Sequence, residues 1–138
     1  MEHTKKVSVI VGVCILLTAV FSAIILWKTL RPSKGLSYEQ ITMEQAAEYM
    51  EYETDYILLD VRTEEEYATG HIPGAICISH DEIGEKADAM LPDKEQMIYV
   101  YCRSGNRSQQ AAQALCDLGY TNVTEMGGII DWTGETEK

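Results

Sequence analysis

MIYVYCRSGNRSQQAAQALCDLG, residues 97–119, decides how this chain folds. Residues 97–101 form a continuous apolar run, the strongest strand signal in the sequence. From Arg107 to Leu118 alanines and leucines recur at helical spacing, and Gly119 ends the pattern. Only a short loop joins the two, and it begins with Cys102. A strand feeding directly into a helix is a building block of a parallel sheet, where ligands gather at the carboxyl ends of the strands. Cys102 stands at such an end.

The rest of the chain repeats this alternation. Thr42 and Gln45 have the spacing of a capping box, opening a helix that carries Ala46, Ala47 and Met50 on one side. YILLD, 56–60, reads as a strand covered on both faces. Thr63 and Glu66 form a second capping box, with Gly70 placed to stop that short helix. A turn at His71-Ile-Pro-Gly74 leads to a strand over 75–79, a helix over 81–90 and a turn at Pro92-Asp93-Lys94. A last strand is expected over 120–125, before Gly127, Gly128 and a terminal segment with Trp132. The expectation is an α/β fold: a mainly parallel sheet flanked by helices on both faces.

A thiol at this junction is a candidate nucleophile. A loop passing from strand to helix points several backbone N–H groups inward, and the helix N-terminus adds partial positive charge. Gly105 allows a backbone shape that strains other residues. Ser104 and Asn106 keep the loop small, while Arg103 and Arg107 add full positive charge. Each feature favours thiolate over thiol.

Composition bounds the partners. Beyond residue 35 there are 21 acidic residues against six cations (Arg62, Lys86, Lys94, Arg103, Arg107 and Lys138), a formal −15. Such a body does not suit a nucleic-acid backbone, which is bound by clustered cations. Of four cysteines, none has CxxC spacing and no histidine stands at ligand distance from another ligand, so no metal site is expected and no cofactor is implied.

Residues 7–27, VSVIVGVCILLTAVFSAIILW, carry no charge over 21 positions. As a helix they would span about 31 Å, enough to cross a bilayer core. Lys5 and Lys6 precede the run, and Trp27, Lys28, Arg31 and Lys34 close it. Its apolar character persists to Trp27, where a cleaved signal would end in small residues, so one transmembrane helix is expected. The implied organisation is a flank at 1–6, the membrane span at 7–27, a linker at 28–35 and one domain at 36–138, giving a single-pass membrane protein.

The motifs of that domain resemble the rhodanese family of sulfurtransferases. CRSGNR (102–107) is similar to the family's active-site loop, and LLDVR (58–62), EEYATGHIPGAI (65–76) and MGGIIDW (126–132) follow the family's order. The resemblance implies a rhodanese-like fold in which Cys102 takes sulfane sulfur from a small anionic donor such as thiosulfate. The resulting persulfide would pass its sulfur to a thiol, to cyanide or to a protein acceptor. It also implies that Arg103, Ser104, Gly105, Asn106, Arg107 and Ser108 form the substrate-binding loop.

Asp60 and Arg62 read as supporting residues. Asp60 is open to pairing with a loop arginine or to capping its strand end, and Arg62 is expected to pair with Glu66. His71 is expected to bond to backbone, Tyr67 and Trp132 to pack in the core, and Cys116 to fill space on the helix. Three other functions compete. A phosphatase or arsenate reductase needs five residues between Cys and Arg, and Ser108 stands where that Arg would be. A silent protein-binding module would generally lack the cysteine. A membrane-tethered persulfide carrier or redox sensor shares the chemistry in another role.

Overall fold

In the computed structural model, which describes residues 37–138, the elements run β1 (Glu39–Gln40), α1 (Met43–Tyr52), β2 (Tyr56–Asp60), α2 (Glu64–Thr69), β3 (Ile76–Cys77), α3 (Ile83–Met90), β4 (Met97–Cys102), α4 (Asn106–Asp117) and β5 (Val123–Gly128), then a 3₁₀ turn at Ile129–Asp131. The segments assigned from sequence to 1–6, 7–27 and 28–35 lie outside the described residues. Among the described residues no helix is long and apolar enough to cross a membrane.

The five strands form one sheet in the order β1-β5-β4-β2-β3, and every pairing is parallel. The apolar 97–101 run becomes the central strand, with β2 on one side and β5 on the other. Period-two alternation then sorts its side chains. Ile98, Val100 and Cys102 join the cluster containing Ile83, Ala87 and Leu91 of α3 and its flank and Ala111, Ala112 and Leu115 of α4. Tyr99 and Tyr101 face the other cluster, with Met43 and Ala46 of α1 and with Ile72, Ala75 and Met126. The sheet is therefore covered on both faces, as the run of apolar residues in β2 and β4 requires. Cys102 is the last side chain on the α4 side.

Both capping boxes form. Thr42 and Gln45 exchange hydrogen bonds at 3.2 and 3.0 Å, as do Thr63 and Glu66 at 3.2 and 3.1 Å. Gly70 closes α2.

Boundaries differ from expectation in three places. The 75–79 strand shrinks to Ile76–Cys77 at the sheet edge, although Ile78 and His80 still donate their amides to Asp60 and Val61 carbonyls. A turn from Ser79 to Glu82 delays the following helix to Ile83. The final strand starts at Val123 and not at residue 120. Tyr120 is fully buried, and its hydroxyl reaches the carbonyls of Leu91, at 2.7 Å, and Ala87, at 3.0 Å. The chain turns there to meet the end of α3, and Thr121 bonds to Lys94 before the ladder begins. β1 was not expected, since two exposed polar residues carry no periodic signal.

The ladder between β4 and β5 also slips. Val100 pairs with Glu125 but Cys102 pairs with Gly128, so β5 holds one extra residue opposite Tyr101. This is a β-bulge, with Gly127 at φ +87°. It lies beside the loop that follows Cys102.

Candidate active site

The β4–α4 loop is held by two glycines. Gly105 has φ +98°, a left-handed shape costly for other residues, and donates its amide to Cys102 Sγ at 3.1 Å. Gly128, across the sheet, leaves room for the loop: a Cβ there would fall on the Arg103 carbonyl and within 2.5 Å of Ser104 Cα. Ile130 donates its amide to that same Arg103 carbonyl at 3.2 Å. The expected nest of amides is present in the loop, and the end of β5 and the turn after it hold the loop backbone in place.

Cys102 is 1% exposed, which by itself opposes ionisation of the thiol. The Ser108 hydroxyl and the backbone amides of Ser108, Ser104 and Gly105 outweigh that burial, and the thiol's pKa is lowered. Burial instead raises Cys77, to about 11, and Cys116. Cys116 is buried on α4, as expected of a space-filling residue. Local hydrogen bonding thus singles out one thiol of the three described.

Ser108 lies in the first turn of α4 and is fully buried beneath the loop, with Oγ 3.5 Å from Cys102 Sγ. Its hydroxyl donates to Glu125 Oε1 at 2.5 Å and also lies 3.0 Å from the Gly105 carbonyl. Glu125 is 3% exposed, and its carboxylate also accepts from the Gly127 amide at 2.8 Å and from Gln40 Nε2 at 3.2 Å. Sequence reasoning missed this residue. The one available signal was its place two positions on from Val123, and so on the same face of the strand.

The charged partners are not the expected ones. Arg62 does not pair with Glu66; it forks onto Asp60, with contacts at 2.6 and 3.0 Å, and reaches the Gly70 carbonyl at 2.8 Å. Asp60 takes neither loop arginine. The Asp60–Arg62 pair is buried, and it ties the end of β2 to the end of α2. Glu66 instead makes a two-point contact with Arg107, at 2.7 and 2.9 Å. The error came from choosing the neighbour in sequence, when the partner is 41 positions away. Arg107 is therefore held against α2, half-exposed, at one side of the loop. Arg103, Ser104 and Asn106 are exposed around it. His71 places Nδ1 3.0 Å from the Tyr67 carbonyl, in the expected backbone role, and its ring stacks on Tyr67. Tyr67 and Trp132 pack against the α1-side core. Among the described residues no group of three or more His, Cys, Asp and Glu side chains could hold a metal ion.

The contact with Arg107 lowers Glu66 to about 2, despite the cost of partial burial. A carboxylate depressed on folding stabilises the protein above its unfolded value, about 4.3, and the effect disappears as pH falls through the folded value. Part of Glu66 is in solvent, so screening keeps the effect small. Urea unfolding of the full chain should show stability falling from about pH 4.3 towards pH 2, with Glu66→Gln flattening that fall. An unchanged slope in the variant would show that the pair does not couple to folding.

Similarity to known proteins agrees with this geometry. Residues 42–135 match the rhodanese-like domain. The thiosulfate sulfurtransferase PspE of Escherichia coli is 41% identical over 73 residues, 53% of this chain and 70% of that protein. The adenylyltransferase and sulfurtransferase UBA4 of Candida albicans is 43% identical over 89 residues, 59% of this chain but only 20% of its own length. Among solved structures, a rhodanese with anions from E. coli superposes with a TM-score of 0.57 at 37% identity, covering 60% of this chain and 98% of that one. With its parallel sheet, its loop and the 42–135 match taken together, this chain belongs to the rhodanese-like family.

Proposed function

We propose that this protein is a sulfurtransferase in which Cys102 carries sulfane sulfur as a persulfide. The observation that carries this reading is the buried Cys102 thiol, lowered in pKa by loop amides and in contact with the Gly105 N–H at 3.1 Å. The sulfurtransferase names of PspE and UBA4 support it, and PspE's name supports thiosulfate as the donor.

The reaction has two steps. Cys102 thiolate attacks the outer sulfur of thiosulfate, forming a new S–S bond; the bond to the inner sulfur breaks, and sulfite leaves with the electron pair. A thiophilic acceptor then attacks the terminal sulfur, and Cys102 leaves as thiolate. The acceptor is a small thiol, a cysteine of a partner protein, or cyanide in the test tube. The loop amides that face Sγ are suited to stabilising negative charge on the terminal sulfur, as an oxyanion hole does for oxygen. Arg103 and Arg107 draw the anionic donor towards the loop of an otherwise acidic domain. Dividing the transfer across a covalent intermediate lowers each barrier.

Mass spectrometry of the full chain after incubation with thiosulfate tests this. The expected result is a gain of one sulfur atom on the Cys102 peptide, removed by cyanide and never acquired by Cys102→Ser. Sulfur spread equally over Cys77, Cys102 and Cys116 would mean nonspecific thiol chemistry and would sink the proposal.

The same proposal tethers the domain to a membrane through residues 7–27. Their 21 uncharged positions and the flanking Lys5, Lys6, Lys28 and Arg31 support this. Full chain expressed in cells should stay in the membrane pellet after alkaline carbonate treatment. Release into the supernatant would remove the tether and leave the sulfur chemistry standing.

A further inference from the structure

Glu125 has no place in the reaction described so far, yet it is a buried carboxylate one hydroxyl away from the nucleophile. No salt bridge among the described residues reaches it. Its partners are neutral: the Ser108 hydroxyl, the Gly127 amide and the Gln40 side chain. The other carboxylates near the loop are each bound to an arginine, Asp60 to Arg62 and Glu66 to Arg107. The bulge in β5 lets the Gly127 amide fold back onto Glu125 Oε1, so this acid is held at a fixed position under the loop.

Ser108 has one proton to donate, and Glu125 Oε1 at 2.5 Å is the nearest acceptor, ahead of the Gly105 carbonyl at 3.0 Å, the Gly127 carbonyl at 3.4 Å and Cys102 Sγ at 3.5 Å. While it donates to Glu125 at 2.5 Å, it offers only lone pairs to Cys102, which suits a thiol S–H donor; it favours the thiolate only by turning its proton to the sulfur. When Cys102 ionises, the hydroxyl must turn to the sulfur, and Glu125 would lose its shortest hydrogen bond. A buried thiolate and a buried carboxylate sharing a single hydroxyl are also two like charges in a poorly solvated place.

One arrangement satisfies every group in both states. We propose that Cys102 and Glu125 share a single proton through Ser108. While the pair holds one proton, a thiol form and a thiolate form are both populated; in the thiol form Cys102 S–H donates to Ser108 Oγ, and Ser108 O–H donates to the Glu125 carboxylate. On activation the thiol proton passes to Ser108 Oγ while the serine's own proton passes to Glu125 Oε1. The S–H bond breaks, an O–H bond forms on the carboxylate, and no charge enters or leaves the buried site. The chain of bonds then runs in reverse, from the Glu125 carboxyl through Ser108 to a thiolate that now receives a hydrogen bond from the hydroxyl. Two titrating groups that share one proton have separated macroscopic steps belonging to the pair. Glu125 is a positioning residue in this scheme, acting through Ser108.

The charged side chains on the elements around the loop are Asp60 and Arg62 at the end of β2, Glu66 on α2, and Arg103 and Arg107 on the loop and α4; the Tyr101 hydroxyl lies on the opposite face of β4, where it accepts from the Ile72 amide. Four of these close into two ion pairs, Asp60 with Arg62 and Glu66 with Arg107, and Arg103 is exposed to solvent. The inference rests on Cys102 being the sulfur-bearing nucleophile, but it is tested on the thiolate itself. Failure to carry sulfur and failure to share a proton are thus separate results.

The test follows Cys102 thiolate by ultraviolet absorbance across pH, as the difference between the full chain and its Cys102→Ser variant. The expected curve rises in two steps with a plateau between them. On the plateau, infrared difference spectra should contain the carbonyl stretch of a protonated carboxyl that is missing from Glu125→Gln. Glu125→Gln cannot take the proton, and Ser108→Ala cannot relay it, so either variant should lose the plateau and leave one rise. The second variant keeps the buried acid and covers the case in which the first fails to fold. A single rise in the unmodified protein would overturn the proposal, as would a plateau that survives in both variants.

Discussion

The 3.1 Å contact from the Gly105 amide to Cys102 Sγ exists because β4 passes into α4 with almost no chain between them. That economy constrains everything around it. The loop must turn through a left-handed residue, so position 105 is glycine. The loop backbone must also lie against the end of β5, so position 128 has no side chain. The slip between β4 and β5 brings Gly128 level with Cys102, where the ladder would otherwise put Gly127. The central position of β4 places all of this at the end of the best-supported strand, with packed side chains on both faces of the sheet.

Charge around the loop is organised in closed pairs. Asp60–Arg62 fastens β2 to the end of α2, and α2 then presents Glu66 to Arg107. The buried Asp60–Arg62 pair contributes little net stability, because desolvation offsets most of its attraction, but removing one partner leaves a costly orphan; the partly exposed Glu66–Arg107 pair is weakened by solvent screening. Their consequence here is positional. Arg107 is held to one side of the loop, so the groups that touch the sulfur are neutral amides and a hydroxyl. These lower the Cys102 pKa against burial without placing a cation on it.

Features coded within a few residues of each other were legible in the sequence. The two capping boxes, the left-handed Gly105, the apolar runs of β2 and β4 and the CRSGNR loop each depend on local spacing, and each stands where it was expected. Features that depend on tertiary contact were not. The Glu66 partner lies across the site, whereas linear proximity suggested Arg62. The start of β5 is set by Tyr120 reaching the end of α3, and β1 exists only because β5 offers it an edge. Glu125 was invisible because a single acid in a strand usually faces solvent. Its burial follows from its sharing a face with Val123 beneath α4.

The central claim is that this loop is built to hold a sulfur anion, and a crystal structure of the thiosulfate-loaded protein tests it most directly. The account predicts extra density bonded to Cys102 Sγ, with the terminal sulfur inside the loop and within hydrogen-bonding distance of its backbone amides. A terminal sulfur pointing away from the loop, or a loop rearranged so that its amides no longer face the sulfur, would contradict it.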